Sequence, residues 1–383
     1  MSKKAILIIF MCLFIGLVES ADKSPSRDPN TIRIGLITKA KKVKINIKGA
    51  LRVADLDKDK IYKIVKSVRT YISSKNSKTI TIGPFVFGSN LRLIPLEGED
   101  KLQINGKSYR GNIYIRSNGG KSFAVIEELE LEKYLYGVLP LEMGPRWPME
   151  ALKAQAVIAR TYALFNKNKY YKQGFDLSND VKSQAYGANN ADHPRVMEAV
   201  NSTKGEVLTY KGKLLDAVYH ANCGGRTSPP IWGGKAIEPL SGVKCPYCKN
   251  TPNYNWSKEI SKEKLLVFCN SRGYKVKKIK NIKSDYKNRA GRVLKLQFIT
   301  DIGKFIINTG ALRNWIGGNI FKSHYVTQII PGKDEIKFVG KGYGHGVGMC
   351  QNGAMVMAKN KKNYKKILRY YYPGAKIGRL RYN

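Results

Sequence analysis

Acidic side chains are scarce in this chain of 383 residues: Asp and Glu number 28 against 68 Lys and Arg, a formal net charge of +40. So one-sided a field draws polyanions, whether nucleic acid, anionic lipid or acidic wall polymers, but says nothing about fold. The competing explanation is a general enrichment in lysine and asparagine. The lysine clusters "KAKKVK", "YKVKKIK" and "KNKKNYKK" are scattered, as solvated faces are. Long apolar runs are also wanting. The one such run, Ala5–Val18, has 14 residues, short of the roughly 20 that a spanning helix needs. No fixed-period repeat and no long low-complexity tract occurs, which excludes the solenoid architectures. Cysteine numbers six, with one inside the apolar run. The remaining five, Cys223, Cys245, Cys248, Cys269 and Cys350, are an odd set that argues against a simple disulfide framework.

Lys3 and Lys4, the apolar run, and small residues at Ser20 and Ala21 form a secretory signal over residues 1–20; an uncleaved anchor is the alternative. Export makes nucleic acid an unsuitable partner despite the charge. A polar leader with two prolines, 21–30, follows. From Thr31 the stretches "TIRIGLIT", "VKINIKG", "KTITIGPFVFG", "LRLIPLEG" and "GNIYIRS" alternate at period two, which predicts a β-rich region over 31–108. Within it, "DKDKIYKIVKSVRTYISS" reads as one short helix. A second domain is expected over 109–383.

There Pro148 suits the start of a helix running to about Asn166, with Leu152, Ala156, Ala159 and Ala163 on one face and Gln155 and Arg160 at another edge. A helix near Pro194, a hairpin turning at Gly212, and strands at "RVLKLQFIT" and "GKFIINTG" come next. Strands and helices mix without regular alternation, so the fold class is α+β.

Three constellations carry chemistry. Glu142 stands in "LPLEM", and a carboxyl among apolar side chains is costly to ionise, the condition for a general acid. The structural alternative is an ion pair with Arg146 or Arg160. Glu128, Glu130 and Glu132 alternate with leucine, as at a solvent-facing strand edge. His220, Cys223, Cys245 and Cys248 make H-x2-C, a gap, then C-x2-C, which fits a four-coordinate structural zinc site. Cys350 is a rival fourth ligand that would release His220, and disulfides or a redox pair are the alternative. His345 lies among five glycines from Gly340 to Gly348, and no phosphate-loop lysine follows. Cys269, in an apolar helical run, reads as a buried free thiol.

The segments "LEKYLYGVLPLEMGPRWPMEALKAQAVIARTYAL", "SQAYGA", "VYHANCGG", "GALRNWIGG" and "GYGHGVGMCQNGA", in that order, resemble the SpoIID/LytB family from about Tyr109 almost to the C-terminus. The resemblance implies a SpoIID-like α+β fold around a glycan-binding cleft and a peptidoglycan lytic transglycosylase active in cell-wall remodelling. It places the catalytic glutamate at Glu142, with Gln155, Arg160, His345 and Gln351 as candidates for binding glycan. It also implies zinc held by a histidine and cysteines near His220. Cys223 and Cys350 stand where serine is usual in the family, and Asn352 where an aromatic is frequent. The amidase-enhancer branch implies an alternative, a non-catalytic wall-binding protein that stimulates a cell-wall amidase. Either way the protein is expected outside the cytoplasm, in the periplasm or on the wall side of the membrane.

Overall fold

The computed structural model describes residues 30–64, 68–95, 102–180, 183–187, 193–232 and 236–380. The expected signal, and the leader apart from Asn30, lie outside the described residues. Among the described residues, strands in several sheets mix with seven helices, the α+β class anticipated. The chain forms two compact units: 1–142 with 166–192, and 143–165 with 193–383.

Unit 1 is built on strands. A seven-stranded sheet runs in the order 177–178, 31–40, 123–130, 112–117, 90–95, 51–55, 60–64. A six-stranded sheet runs 107–109, 102–104, 42–47, 68–76, 79–82, 85–87. Alternation sets which side is buried: in Lys42–Ile47 the residues Val43, Ile45 and Ile47 are buried and Lys42 and Lys44 exposed. Strands on both sides of residue 108 share these sheets, since Asn112–Ser117 pairs with Asn90–Pro95 and Phe123–Glu130 with Thr31–Ala40. The helix expected at "DKDKIYKIVKSVRTYISS" is instead two strands, Lys60–Ile64 and Val68–Asn76. Their isoleucine, valine and tyrosine find partners, Tyr62 opposite Val53 and Thr70 opposite Ile45, and pairing overrides the local helical spacing.

Helix α1 (Leu131–Glu142) ends this part of the chain, with Pro140 in its last turn. Proline there lacks the N–H that would meet the carbonyl four residues back, and the helix ends two residues later.

Unit 2 is organised by α2 (Met149–Phe165), which packs against α3 (Pro194–Ser202) and the strand Glu206–Tyr210. The remaining helices are α4 (Lys262–Asn270), α5 (Thr309–Ile316), α6 (Gln351–Lys359) and α7 (Tyr364–Tyr371); α6 and α7 also pack on α2. The hairpin with its turn at Gly212 forms as expected. A second core joins α4 and α5 to two three-stranded sheets through Trp256, Phe268, Phe298, Phe321 and Phe338. Each such side chain contributes about 1.5–3 kcal/mol by leaving water. Cys269 is buried in this core, and burial pushes its thiol up to about 11.

Candidate functional site

Glu142 is the last residue of α1 and half-buried, and its Oε1 accepts the backbone N–H of Ala185 at 2.9 Å. Of its apolar neighbours, Leu139 and Met143 are buried and Leu141 is 46% exposed. Of the glutamates upstream, Glu130 is exposed and pairs with Lys133, as a strand edge predicts. Glu128 instead binds the Arg33 guanidinium at 2.7 Å, and Glu132 is buried in the first turn of α1. Glu127, which drew no attention in the sequence, is fully buried. Period two on its strand aligns it with Phe123, Val125 and Leu129, so a carboxyl in the apolar row was the available signal.

In unit 2 the four residues expected to bind glycan lie in different settings. Arg160 is completely buried and donates to the carbonyls of Glu206 at 2.9 Å and Val200 at 3.3 Å. It is a strut between α2, α3 and a strand, and this corrects the expectation of a ligand-facing guanidinium. Helix α2 is buried nearly all round, so it has no second edge for Arg160 to emerge from. Gln155 is also fully buried; its Oε1 accepts from Nε2 of Gln351 on α6 at 3.4 Å, and its own Nε2 has no hydrogen-bond partner among the described residues.

His345 is half-buried, beside the exposed ring of Trp232 with centroids 5.6 Å apart. Its Nδ1 accepts the Val347 N–H at 3.1 Å, so Nε2 carries the proton and donates to the Tyr219 carbonyl at 2.8 Å. Burial holds the ring down at about 4, which keeps it neutral. With both nitrogens engaged, His345 is a fixed wall rather than a proton carrier.

Cys223, Cys245, Cys248 and Cys350 are all buried, and their four sulfurs lie within 4.8 Å of one another. His220 is not in this group, a correction to the donor set H-x2-C…C-x2-C. The strand Tyr219–His220 runs parallel to Met349–Cys350, and the His220 ring turns to the Val347 carbonyl, which Nδ1 meets at 3.0 Å. Cys350 brings its sulfur to the cluster from the N-cap of α6, where it also accepts the N–H of Cys223 at 3.3 Å and of Gly353 at 3.4 Å. Tetrahedral zinc with Zn–S bonds of about 2.3 Å sets sulfurs roughly 3.8 Å apart. Cys223 and Cys248 are at 3.5 Å, far beyond a disulfide bond. Mutual hydrogen bonds draw the thiols of Cys245 and Cys248 down, while burial pushes Cys223 and Cys350 up. A soft cation suits such a set of donors. Gly353 is required here, because a Cβ would lie 2.0 Å from the Tyr371 hydroxyl and 2.8 Å from Cys245 Sγ.

A family model described as Stage II sporulation protein, SpoIID, matches residues 119–210, which include Glu142 and Ala185. A model described only as a domain of unknown function matches residues 246–348. The chain is 34% identical over 369 residues to an uncharacterized protein of Brachyspira hyodysenteriae, covering 91% of this chain and 93% of that one. It is 29% identical to the amidase enhancer of Bacillus subtilis, over 94% of this chain and 56% of that protein. To stage II sporulation protein D of the same organism it is 28% identical, over 66% of this chain and 75% of that one. The chain belongs to the SpoIID/LytB family.

Proposed function

We propose that the protein is an exported lytic transglycosylase acting on the glycan strands of peptidoglycan in cell-wall remodelling. The observation that carries this reading is Glu142: a half-buried carboxyl at a helix end, one oxygen oriented by a backbone N–H, inside the segment that matches SpoIID. Cleavage of the bond from N-acetylmuramic acid to N-acetylglucosamine needs a proton on the leaving oxygen. Glu142 gives it. The carboxylate so formed then takes the proton of the muramoyl 6-hydroxyl as that oxygen closes on the anomeric carbon, leaving a 1,6-anhydro end. The internal hydroxyl replaces water, so the second carboxylate of ordinary glycosidases is not required. Taken by itself, unit 2 presents the neutral His345 beside the exposed ring of Trp232, a face on which a sugar ring can stack.

The cysteine cluster is read as a structural zinc site, with Cys223, Cys245, Cys248 and Cys350 as its ligands. A bound zinc there would tie three distant stretches of unit 2 together and take no part in the reaction.

General acid–base catalysis contributes about 10²–10⁴-fold. Glu142→Gln should therefore lose at least ~100-fold in anhydro ends released from peptidoglycan, counted by mass spectrometry, while melting as the native protein does. Reducing ends in their place would mean a hydrolase. The amidase-enhancer relative, matched along nearly the whole chain, favours a second reading in which the protein binds glycan and stimulates an amidase. No ends of either kind, with glycan still bound and amidase stimulated, would establish it.

A further inference from the structure

In unit 1 the segment 183–187 runs beside α1, and its pinning explains how Glu142 is held. Gly187 donates to the Gly137 carbonyl at 3.2 Å, and a side chain at Gly137 would strike the Tyr186 ring at 2.5 Å. The Tyr186 ring stacks on Tyr134 with centroids 5.2 Å apart, and the Tyr134 hydroxyl donates to Gln184 Oε1 at 3.2 Å. The Tyr186 hydroxyl donates to Glu127 Oε2 at 2.8 Å. Glu127 Oε1 in turn accepts the N–H groups of Arg110 at 3.0 Å and Gly111 at 2.9 Å. Between the two anchored residues lies Ala185, whose N–H meets Glu142.

Glu127 is fully buried in a chain poor in carboxylates, and burial raises its pKa. A buried carboxyl is costly unless its oxygens are hydrogen-bonded. All three donors here come from segments remote in sequence, so Glu127 joins the loop at 110–111 to the loop at 184–187.

We propose that Glu127 is a positioning residue for Glu142: through Tyr186 it fixes the Ala185 N–H, and that N–H fixes the plane of the Glu142 carboxyl. The inference rests on the catalytic reading of Glu142. Orientation matters because a misplaced acid forfeits rate without loss of substrate binding. Glu127 itself touches no substrate and passes no proton.

The test compares Tyr186→Phe, Glu127→Gln and Glu127→Ala with the native protein by two readouts, glycan-cleavage kinetics and hydrogen exchange at the Ala185 amide. Tyr186→Phe keeps the stacked ring and removes only the hydroxyl. It should speed Ala185 exchange at least ~10-fold and lower kcat about 10-fold, with KM within twofold and the melting temperature nearly unchanged. Glu127→Gln should rescue both readouts: its carbonyl keeps the two N–H groups and its amide donates to the Tyr186 oxygen. Glu127→Ala should behave as Tyr186→Phe or worse. Unchanged Ala185 exchange in Tyr186→Phe would overturn the clamp. Faster exchange with native kcat would overturn the positioning role. If native protein cleaves no glycan while exchange responds as expected, the clamp stands and the transglycosylase reading fails.

Discussion

In unit 1 the ionisable acids and bases taken out of water, among the described residues, are Asp55, Glu127, Glu132 and Asp176; in unit 2 they are Arg160, His220, Arg292 and His324. Acids fill one interior and bases the other. The buried acids gather backbone N–H groups: Asp55 takes that of Gly88 at 2.7 Å, Asp176 that of Arg33 at 2.9 Å, and Glu127 those of Arg110 and Gly111. The buried bases gather carbonyls: Arg160 those of Val200 and Glu206, and Arg292 those of Cys223 at 2.9 Å and Arg226 at 3.2 Å. A carboxylate accepts only and a guanidinium donates only, so each organises loops through the opposite backbone group. Unit 2 also holds the four clustered sulfurs, and there burial lowers the Arg292 guanidinium to about 10. The lesson is that a net charge of +40 does not decide what is buried; the backbone groups left to satisfy do.

The sharpest break of this contrast is removal of the sulfurs. Cys350→Ser should lose most bound metal, measured by elemental mass spectrometry on purified protein, and lower the melting temperature by more than ~10 °C, since structural zinc contributes folding energy outright. His220→Asn should keep full metal content. The reverse pattern would return His220 to the donor set. A smaller effect is expected from one buried base. Arg160→Met removes the guanidinium from the Glu206 and Val200 carbonyls, of which Val200 keeps Thr203 as a donor, and should cost about 1–3 kcal/mol in urea unfolding. Hydrogen exchange should rise first at residues 193–210, and protection unchanged there would sink the strut. The mildest test is pH. Burial, with Arg313, Arg292 and His345 adding to it, holds His324 at about 3, below an ordinary 6.5, so it is neutral in the fold. Its contribution is present above pH 6.5 and is lost as pH falls, because the unfolded chain takes up a proton that the fold resists. Stability should drop by roughly 1 kcal/mol per pH unit between 6.5 and 4, and less steeply in His324→Asn. Equal slopes in the two proteins would assign the acid sensitivity elsewhere.

What the sequence made legible was local. Alternation located most strands of unit 1, Pro148 the start of α2, and C-x2-C two of the four clustered sulfurs. What it hid depended on partners far along the chain. Cys223 and Cys350 are both candidate ligands in the sequence, but Cys350 reaches Cys223 across 127 residues, and no spacing rule chooses it over His220. Arg160 could be placed on a helix but not assigned the carbonyls that bury it. Helix α1 was obscured by Pro140, and Glu127 by the more conspicuous row of glutamates beside it.

The division into units has a consequence for synthesis. Helix α2 belongs to unit 2, yet the chain returns to unit 1 over residues 166–192 before the rest of unit 2 appears. The partners that bury α2 include α7, which ends at Tyr371. A growing or translocating chain must therefore hold an apolar helix without its final neighbours for some two hundred residues, a span in which a premature stop strands it. Neither unit can be cut out as one continuous fragment, and a terminus at Glu142 yields a piece without residues 166–192.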